Sequence, residues 1–399
     1  MSWEVKKLSD CCVSIADGDH QAPPKADFGI PFVTISDINV YNQFDFTDTM
    51  FVPREYYDRL DNKRKAQKGD VLYSVVGSFG IPVYMKETVP FVFQRHIAIL
   101  RPNDTILPQF LYYTMLSRDF YMMADAAALG AAQRTVSLTA LRNIRISVPP
   151  MDAQKKIVDT LSAYDTLIEN NQKQIKLLEE AAQRLYKEWF VDLRFPGYED
   201  TPIVDGVPVG WGKAPIDSRI SLLSGYAFKS AQFDSSGEYK IVTIKNVKDG
   251  EFDGIDTNRI VSIPGKMPKH CVLADRDILL SLTGNVGRTC IVNGNNYLLN
   301  QRVAKLPSDI PAFTYCLFRS SDMFDAMNNL ANGAAQQNLS PIRTGKISIL
   351  FPADNLLEQF ERIVGSMISK MLSLRKQCDL LIQARDRLLP KLMSGEIGV

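Results

Sequence analysis

Asp70-Val71-Leu72-Tyr73-Ser74-Val75-Val76-Gly77-Ser78-Phe79-Gly80 returns, 207 residues later, as Asp277-Ile278-Leu279-Leu280-Ser281-Leu282-Thr283-Gly284-Asn285-Val286-Gly287. The same offset carries Gln94-Arg95 onto Gln301-Arg302, and Gly130-Ala131-Ala132-Gln133 through Ser137 returns as Gly333-Ala334-Ala335-Gln336 through Ser340 at an offset of 203. A short loop has therefore been deleted between the last two motifs, and the chain is an internal repeat. Two copies of one module on one chain suit a target with two similar parts. Double-stranded DNA is the commonest target of that kind.

Working outward from the quoted stretch, residues 1–150 alternate short apolar runs with turn chemistry. Strands are expected at Pro31 to Ile35, Val71 to Val76 and His96 to Leu100, and a helix from Pro108 toward Ala128, stopping at Gly130. Residues 211–352 repeat the order, with strands at Lys240 to Ile244, Asp277 to Leu282 and Arg302 to Leu306 and a helix from Ala312 to about Ala331. Each module reads as mixed α/β (α+β).

Residues 151–192 differ in character. Ile157, Leu161, Tyr164, Ile168, Asn171, Ile175, Leu178, Ala182, Leu185 and Trp189 follow a 4-3 alternation, the seam of a coiled coil about 50 Å long. Asn171 is the polar seam residue that would fix register. Residues 353–399 repeat the theme less regularly through Phe360, Ile363, Met367, Met371, Leu374, Cys378, Leu381, Leu388 and Leu392, with a stutter after Ile363 and Arg385 at a seam position. Both helices are too amphipathic to stand alone, so an antiparallel pair is expected, with one module at each end and a pseudo-twofold relation between the halves. Residues 193–210, rich in Pro and Gly, form the connector. The helices would act as a ruler between two readers.

The chain of 399 residues is 45% hydrophobic, with a formal net charge of +1. It can bury more than one core, but its charge does not announce autonomous binding to nucleic acid; either a local basic face or partner subunits must supply phosphate contacts. Six cysteines without CxxC spacing read as reduced thiols, and neither a leader nor an apolar run of about 18 residues is present, so a cytoplasmic protein with no membrane span is expected.

Catalytic motifs are missing. There is no phosphate loop, no paired-histidine metal site among His20, His96 and His270, and no nucleophile elbow, because Ser78 directly follows Gly77. Val148-Pro149-Pro150-Met151 lacks the flanking residues of an amino-methyltransferase motif, and its prolines suit a helix start. What recurs instead is polar and flexible. Gly18-Asp19-His20 with Lys25 corresponds to Gly225 through Lys229, and Ser36-Asp37 to Lys245-Asn246. Ser78 corresponds to Asn285 with Arg288, Gln94-Arg95 to Gln301-Arg302, and Gln133-Arg134 to Gln336-Gln337-Asn338. These side chains pair with base edges and phosphates, and glycines let a backbone approach a phosphate. Gln94-Arg95 and Gln301-Arg302, shared by both copies, suit structural or phosphate-directed roles. Positions that differ, such as Arg134 against Gln337 or His20 against Ala227, suit base reading, and the glycine loops can equally be hairpin turns.

The set of motifs closely resembles the specificity subunit of type I restriction-modification systems, over essentially the whole length. The carriers are the duplicated Asp-Val/Ile-Leu…Gly-x-x-Gly stretches, Asn300 to Ala304, the two Gly-Ala-Ala-Gln…Ser motifs, the helix starts with Gln154 or Glu358-Gln359, and Lys187 to Asp192 leading to Val209-Gly210-Trp211. The resemblance implies two target recognition domains, each reading one half of a split DNA site. It also implies two helices that space them and bind a pair of methyltransferase subunits. S-adenosylmethionine would reside in those partners, which flip the adenine, and ATP and Mg in restriction subunits that translocate and cut; this chain itself would be non-catalytic, with no cofactor or metal of its own. Two other readings stand beside it: a specificity subunit of a bipartite type II-like enzyme, and a coiled-coil scaffold that binds no DNA.

Overall fold

A computed structural model describes residues 3–130, 134–255, 257–331 and 337–398. The chain divides into two compact units, one of residues 1–167 with 380–399, the other of residues 168–379.

The first unit is built on a strand buried along its whole length. Strands β1 (Glu4–Lys7), β2 (Cys12–Asp17), β3 (Ile30–Val33) and β4 (Met50–Val52) are followed by helix α1 (Arg54–Arg59). Strands β5 (Val71–Ser74), β6 (Pro82–Tyr84), β7 (Val92–Phe93) and β8 (Ile97–Pro102) lead to helices α2 (Pro108–Leu116), α3 (Arg118–Ala126) and α4 (Leu138–Asn143) and strand β9 (Arg145–Val148). One sheet has the order β2-β8-β5-β6, antiparallel throughout; a second, β4-β3-β7, includes the parallel pair β3–β7. All four residues of β5 are buried. Val71, Tyr73 and Val75 face the cluster that includes α2 and α3, while Leu72 faces the cluster of Val33, Phe93 and Ile99. A strand covered on both faces reads as an unbroken apolar run, which is why no alternation marks it in the sequence.

Helix α2 is buried on nearly every side and stops at Ser117, short of the single helix expected from Pro108 toward Ala128. Ser117 Oγ donates to Thr114 O (2.7 Å) and accepts from Phe120 N (3.2 Å), ending one helix and capping the next. The second unit shows the same division, with α6 (Pro311–Phe318) and α7 (Ser321–Ala331) in place of one helix. The Glu361 carboxylate accepts from Ala312 N (2.9 Å) and Phe313 N (2.8 Å) at the start of α6.

Between the modules' strands runs α5 (Met151–Tyr186), continued by a π-turn over Lys187–Val191. The Pro- and Gly-rich connector contains a hairpin: β10 (Ile203–Val204) pairs with β11 (Val207–Pro208), and the turn residues Asp205 and Gly206 have φ of 51° and 79°. The second unit then repeats the architecture with β12 (Gly212–Pro215), β13 (Leu223–Ser224), β14 (Tyr239–Val242), β15 (Asn258–Ile260) and β16 (Val272–Leu273). Strands β17 (Ile278–Ser281), β18 (Thr289–Ile291), β19 (Tyr297–Leu299) and β20 (Val303–Lys305) follow, with α8 (Pro341–Gly345), β21 (Ser348–Phe351) and α9 (Asp354–Met393). The central sheet, β13-β20-β17-β18, again has its duplicated-motif strand, β17, wholly buried. The sequence-expected strands all exist, shorter by one or two residues except β8, which starts one residue later and runs two further.

Both long helices pass from one unit into the other. In the second unit Ile168 O meets Cys378 Sγ (3.8 Å), Asn171 reaches Gln377 (3.5 Å), and Tyr186 meets Phe360 edge-to-face (6.3 Å), an antiparallel pairing. In the first unit Ile157 and Leu161 share a core with Leu389 and Leu392. The irregular seam expected for α9 is corrected: Ile363 is 38% exposed and Val364 is fully buried in its place. With Val364 the steps from Phe360 to Leu392 alternate 4-3 without a stutter. Arg385 does occupy a seam position, 8% exposed, where it pairs with Asp165 (2.7 Å). Asp165 in turn accepts from Tyr113 Oη (2.5 Å), tying α2 to the helices.

This pairing predicts a particular mutational pattern. Arg385→Ala leaves Asp165 half-buried without its cation and should lower stability by about 3 kcal/mol, whereas Asp165→Leu with Arg385→Leu should be close to neutral. Urea titration of the three proteins checks it.

Candidate nucleic-acid interface

Part of the polar set singled out by the repeat converges, in each unit, where the chain leaves the carboxyl end of the buried central strand. In the first unit Val75 N donates to His96 O (2.8 Å), Val136 N to Val75 O (2.9 Å) and Gly77 N to Arg134 O (3.0 Å). Asp19 N donates to Phe93 O (2.9 Å) and Arg95 N to Asp19 O (3.0 Å). Four segments, around Asp19, Ser78, Arg95 and Arg134, are thus tied to one edge. A cleft of about 280 Å³ lies there, lined by Asp17, Val76, Arg95, His96 and Ser137 among others. In the second unit Leu282 N donates to Arg302 O (2.9 Å), Leu339 N to Leu282 O (2.7 Å) and Gln301 N to Tyr226 O (3.0 Å), and Thr283 bridges Asn338.

These hydrogen bonds correct the register of the repeat. Ile97 N donates to Gln94 O and Val303 N to Asn300 O, while Gly18 N and Gly225 N donate to Ile97 O and Val303 O. By backbone position Gln94 therefore corresponds to Asn300, Arg95 to Gln301 and His96 to Arg302. The matching Gln-Arg pairs are displaced by one residue in three dimensions, so Arg95 and Arg302 do not occupy equivalent places. Gly18 and Gly225 also have a role other than the one expected. A Cβ on Gly18 would lie 2.2 Å from Phe93 O, and one on Gly225 2.3 Å from Asn300 O, so both glycines let the chain pass over its own turn.

Of the candidate side chains, His20, Lys25, Ser36, Ser78, Arg95, Arg134, Lys229, Lys245, Asn285, Gln301, Arg302, Gln337 and Asn338 are exposed, and Gln94 and Arg288 are half-buried. Gln133 and Gln336 lie outside the described residues. Asn246 is a correction. It is 1% exposed, accepts from Thr243 N (2.8 Å) and donates to Asp253 O (2.9 Å), so it closes a 3-10 turn rather than facing a ligand. Asp37 does the same for Thr34 in the first unit (2.6 Å). Lys245 and Ser36 remain exposed on those turns, and the turn bearing Lys245 reaches the glycine loop, since Ile244 Cδ1 would sit 3.2 Å from a Cβ on Gly284. Lys25 and Lys229 lie in the segments that follow the glycines, beside the three-stranded sheet's Ala26–Phe51 bridge and the Ser230–Gln232 turn.

Sequence reasoning gave no role to the acidic residues Asp17 and Asp19 at the first unit's cleft edge. Asp17 Oδ2 meets His20 Nε2 (2.7 Å), Arg64 stands 3.9 Å from Asp17 and 3.8 Å from Asp19, and Tyr56 Oη donates to Asp19. The second unit has Ser224 and Tyr226 at the corresponding positions. No motif announces this, because Arg64 and Tyr56 approach from a distant helix and turn. Arg134 is likewise held, by Asp125 Oδ1 (3.1 Å) and Asp125 O (2.5 Å). Among the described residues no group of His, Cys, Asp or Glu is placed to hold a metal ion, and no helix is long and apolar enough to cross a membrane.

Residues 1–180 match the family model described as the type I restriction modification DNA specificity domain. The chain is 23% identical to the type I restriction enzyme MjaIX specificity subunit of Methanocaldococcus jannaschii, over 100% of this chain and 94% of that one. It is 22% identical to the HindI specificity subunit of Haemophilus influenzae, over 84% and 88%. Its fold is similar to the crystal structure of a type I restriction-modification S subunit from M. genitalium (TM-score 0.53, 15% identity, 98% of this chain and 96% of that one). Along its length the chain is thus similar to type I restriction enzyme specificity subunits, and residues 1–180 match their DNA specificity domain.

Two neighbouring substitutions separate scaffold from surface. Asn246→Ala should lower the urea stability by about 1–3 kcal/mol, through unpaired buried groups, while Lys245→Ala should leave it within about 0.5 kcal/mol of the parent.

Proposed function

We propose that this chain reads a split DNA sequence, each module taking one half through the loops at the carboxyl end of its buried strand, and that α5 and α9 set the unread interval and dock methyltransferase subunits. The observation that carries the reading is the recurrence, in both units, of the same hydrogen-bonded loop cluster with different exposed side chains on it. A shared scaffold with His20, Ser78 and Arg134 on one copy and Ala227, Asn285 and Gln337 on the other is what two half-sites of different sequence require. Exposed Arg and Lys supply phosphate contacts, and the near-neutral net charge assigns the remaining hold on DNA to partner subunits. S-adenosylmethionine belongs to the methyltransferase pair in this assembly, and ATP with Mg to the restriction subunits. This chain contributes recognition rather than a catalytic step, in the cytoplasm where the target DNA lies.

The test is a base-resolution map of methylated adenines in cells expressing this chain with its neighbouring methyltransferase, against cells lacking only this chain. A two-part motif that appears only with the chain supports the reading, and no chain-dependent motif refutes it. Two variants sharpen it. Arg134→Ala should weaken binding by about tenfold through the half-site read by the first module while leaving the other half's sequence requirement intact. Deleting one heptad from α5 together with its antiparallel partner heptad from α9 should change the unread interval, and an unchanged interval in a folded complex removes the ruler from the model.

A further inference from the structure

The duplicated glycine loops share a feature that the polar reading does not absorb: each has an exposed aromatic ring over its second glycine. On α3, Tyr121 is 40% exposed, and on α7, Phe324 is 43% exposed. Each is the fourth residue of its helix, one position after a buried anchor, Phe120 or Met323. Gly80 and Gly287 hold φ of 99° and 84°. A Cβ on Gly80 would lie 2.5 Å from the Tyr121 ring, and one on Gly287 3.2 Å from the Phe324 ring. The loop is therefore pressed against the ring in both modules, and the glycine keeps room for it. In the first unit Phe79 stacks on Tyr121, centroids 5.4 Å apart and planes at 5°, so one face of the ring is backed by protein while the side chain stays partly exposed. Ser78 lies two residues before Gly80 and Asn285 two before Gly287, and Arg134 is joined to both the loop, through Gly77, and the helix, through Asp125. The rings are continuous with the polar edge.

A single exposed aromatic needs no explanation, but a large ring held half-open at the same place in two copies of different sequence does. We propose that Tyr121 and Phe324 are DNA-contacting residues that give each module an apolar contact with duplex DNA beside its polar loop. This rests on the proposed DNA reading of the same edge. DNA offers two apolar groups within reach of such a ring, the thymine 5-methyl in the major groove and the deoxyribose along the strand. The flanking Ser78, Asn285 and Arg134 supply the hydrogen bonds that fix where the ring lands. Tyr and Phe differ only at the hydroxyl, so both modules have the same apolar contact while their polar neighbours differ.

The experiment is equilibrium binding by the complex of the full-length chain with its methyltransferase subunits, using duplexes of the mapped site and the same duplexes with one half scrambled. Tyr121→Ala should weaken binding about fivefold or more when the first module's half-site is intact, and the loss should vanish when that half is scrambled. Phe324→Ala should do the same for the other half. Tyr121→Phe and Phe324→Tyr should bind like the parent, because the ring and not the hydroxyl makes the contact. Tyr121→Leu, which keeps apolar cover over Gly80, guards against simple misfolding and should bind at an intermediate level with an unchanged melting temperature. Replacing thymine by uracil in the half-site separates the two sources: a loss seen only with the ring present assigns the methyl group, and no loss assigns the sugar. If the parent complex binds the duplex tightly and the folded alanine variants bind as well as it does, the aromatic contact is refuted while the DNA reading stands. If the parent complex shows no salt-dependent binding to any duplex, both fall together.

Discussion

The structure depends on burying one short strand on both faces. Val71 to Ser74 and Ile278 to Ser281 have no exposed residue. Burial on both sides requires a helical layer against one face and a second sheet against the other, which is how each module acquires its two cores. The chain must then leave that strand through polar backbone. Ser74 Oγ donates to Ser78 O (3.0 Å) and accepts from Ile81 N (2.9 Å), and Ser281 Oγ likewise accepts from Arg288 N (3.0 Å) and donates to Asn285 O, so a buried serine closes each glycine loop. The loop's outer side chains are left free to vary because its shape is fixed from inside.

The aspartate that opens each motif has a similar task. Asp70, 1% exposed, accepts from Gln67 N (2.8 Å) and pairs twice with Arg101 (2.9 Å), and Asp277 accepts from Ala274 N (2.7 Å) and pairs with Lys305 (2.7 Å). The cation differs between copies and comes from a different place on the neighbouring strand, yet the carboxylate keeps its turn. The same economy holds where modules meet helices. Tyr113 donates to Asp165 and Tyr315 to Glu179, a buried hydroxyl on α2 or α6 finding a carboxylate on α5 in each unit (2.5 and 2.9 Å). The aromatic cluster of Trp189, Phe190, Phe360 and Trp211 accounts for the Lys187–Asp192 motif and for Trp211 as packing, with Phe190 4.8 Å from Phe360 and 6.0 Å from Trp211.

Much of this was legible from the chain. The repeat identified the strands and the loops, and the 4-3 spacing identified both helices, because burial on one stripe leaves a periodic trace. The apparent stutter in α9 arises because Ile363 and Val364 are adjacent β-branched residues of similar hydropathy, and only the partner helix decides which one is covered. The break at Ser117 was hidden for a different reason, since a helix buried all round shows no periodicity, and Leu116-Ser117-Arg118 holds no Gly or Pro to mark the stop.

The sequence by itself determined the duplication, the mixed α/β modules, the two seams and the set of polar positions, since these rest on local pattern and on comparison of one half with the other. Tertiary structure decided which of those positions face outward. Asn246 turned inward because Thr243 and Asp253 offered hydrogen bonds, and the two Gln-Arg pairs fell out of register because one residue was lost between β17 and β20. It also brought Arg64 and Tyr56 to Asp17 and Asp19, and set Tyr121 and Phe324 over their glycines. Contacts between residues far apart in the chain depend on how cores close, and a linear pattern records burial without recording the partner.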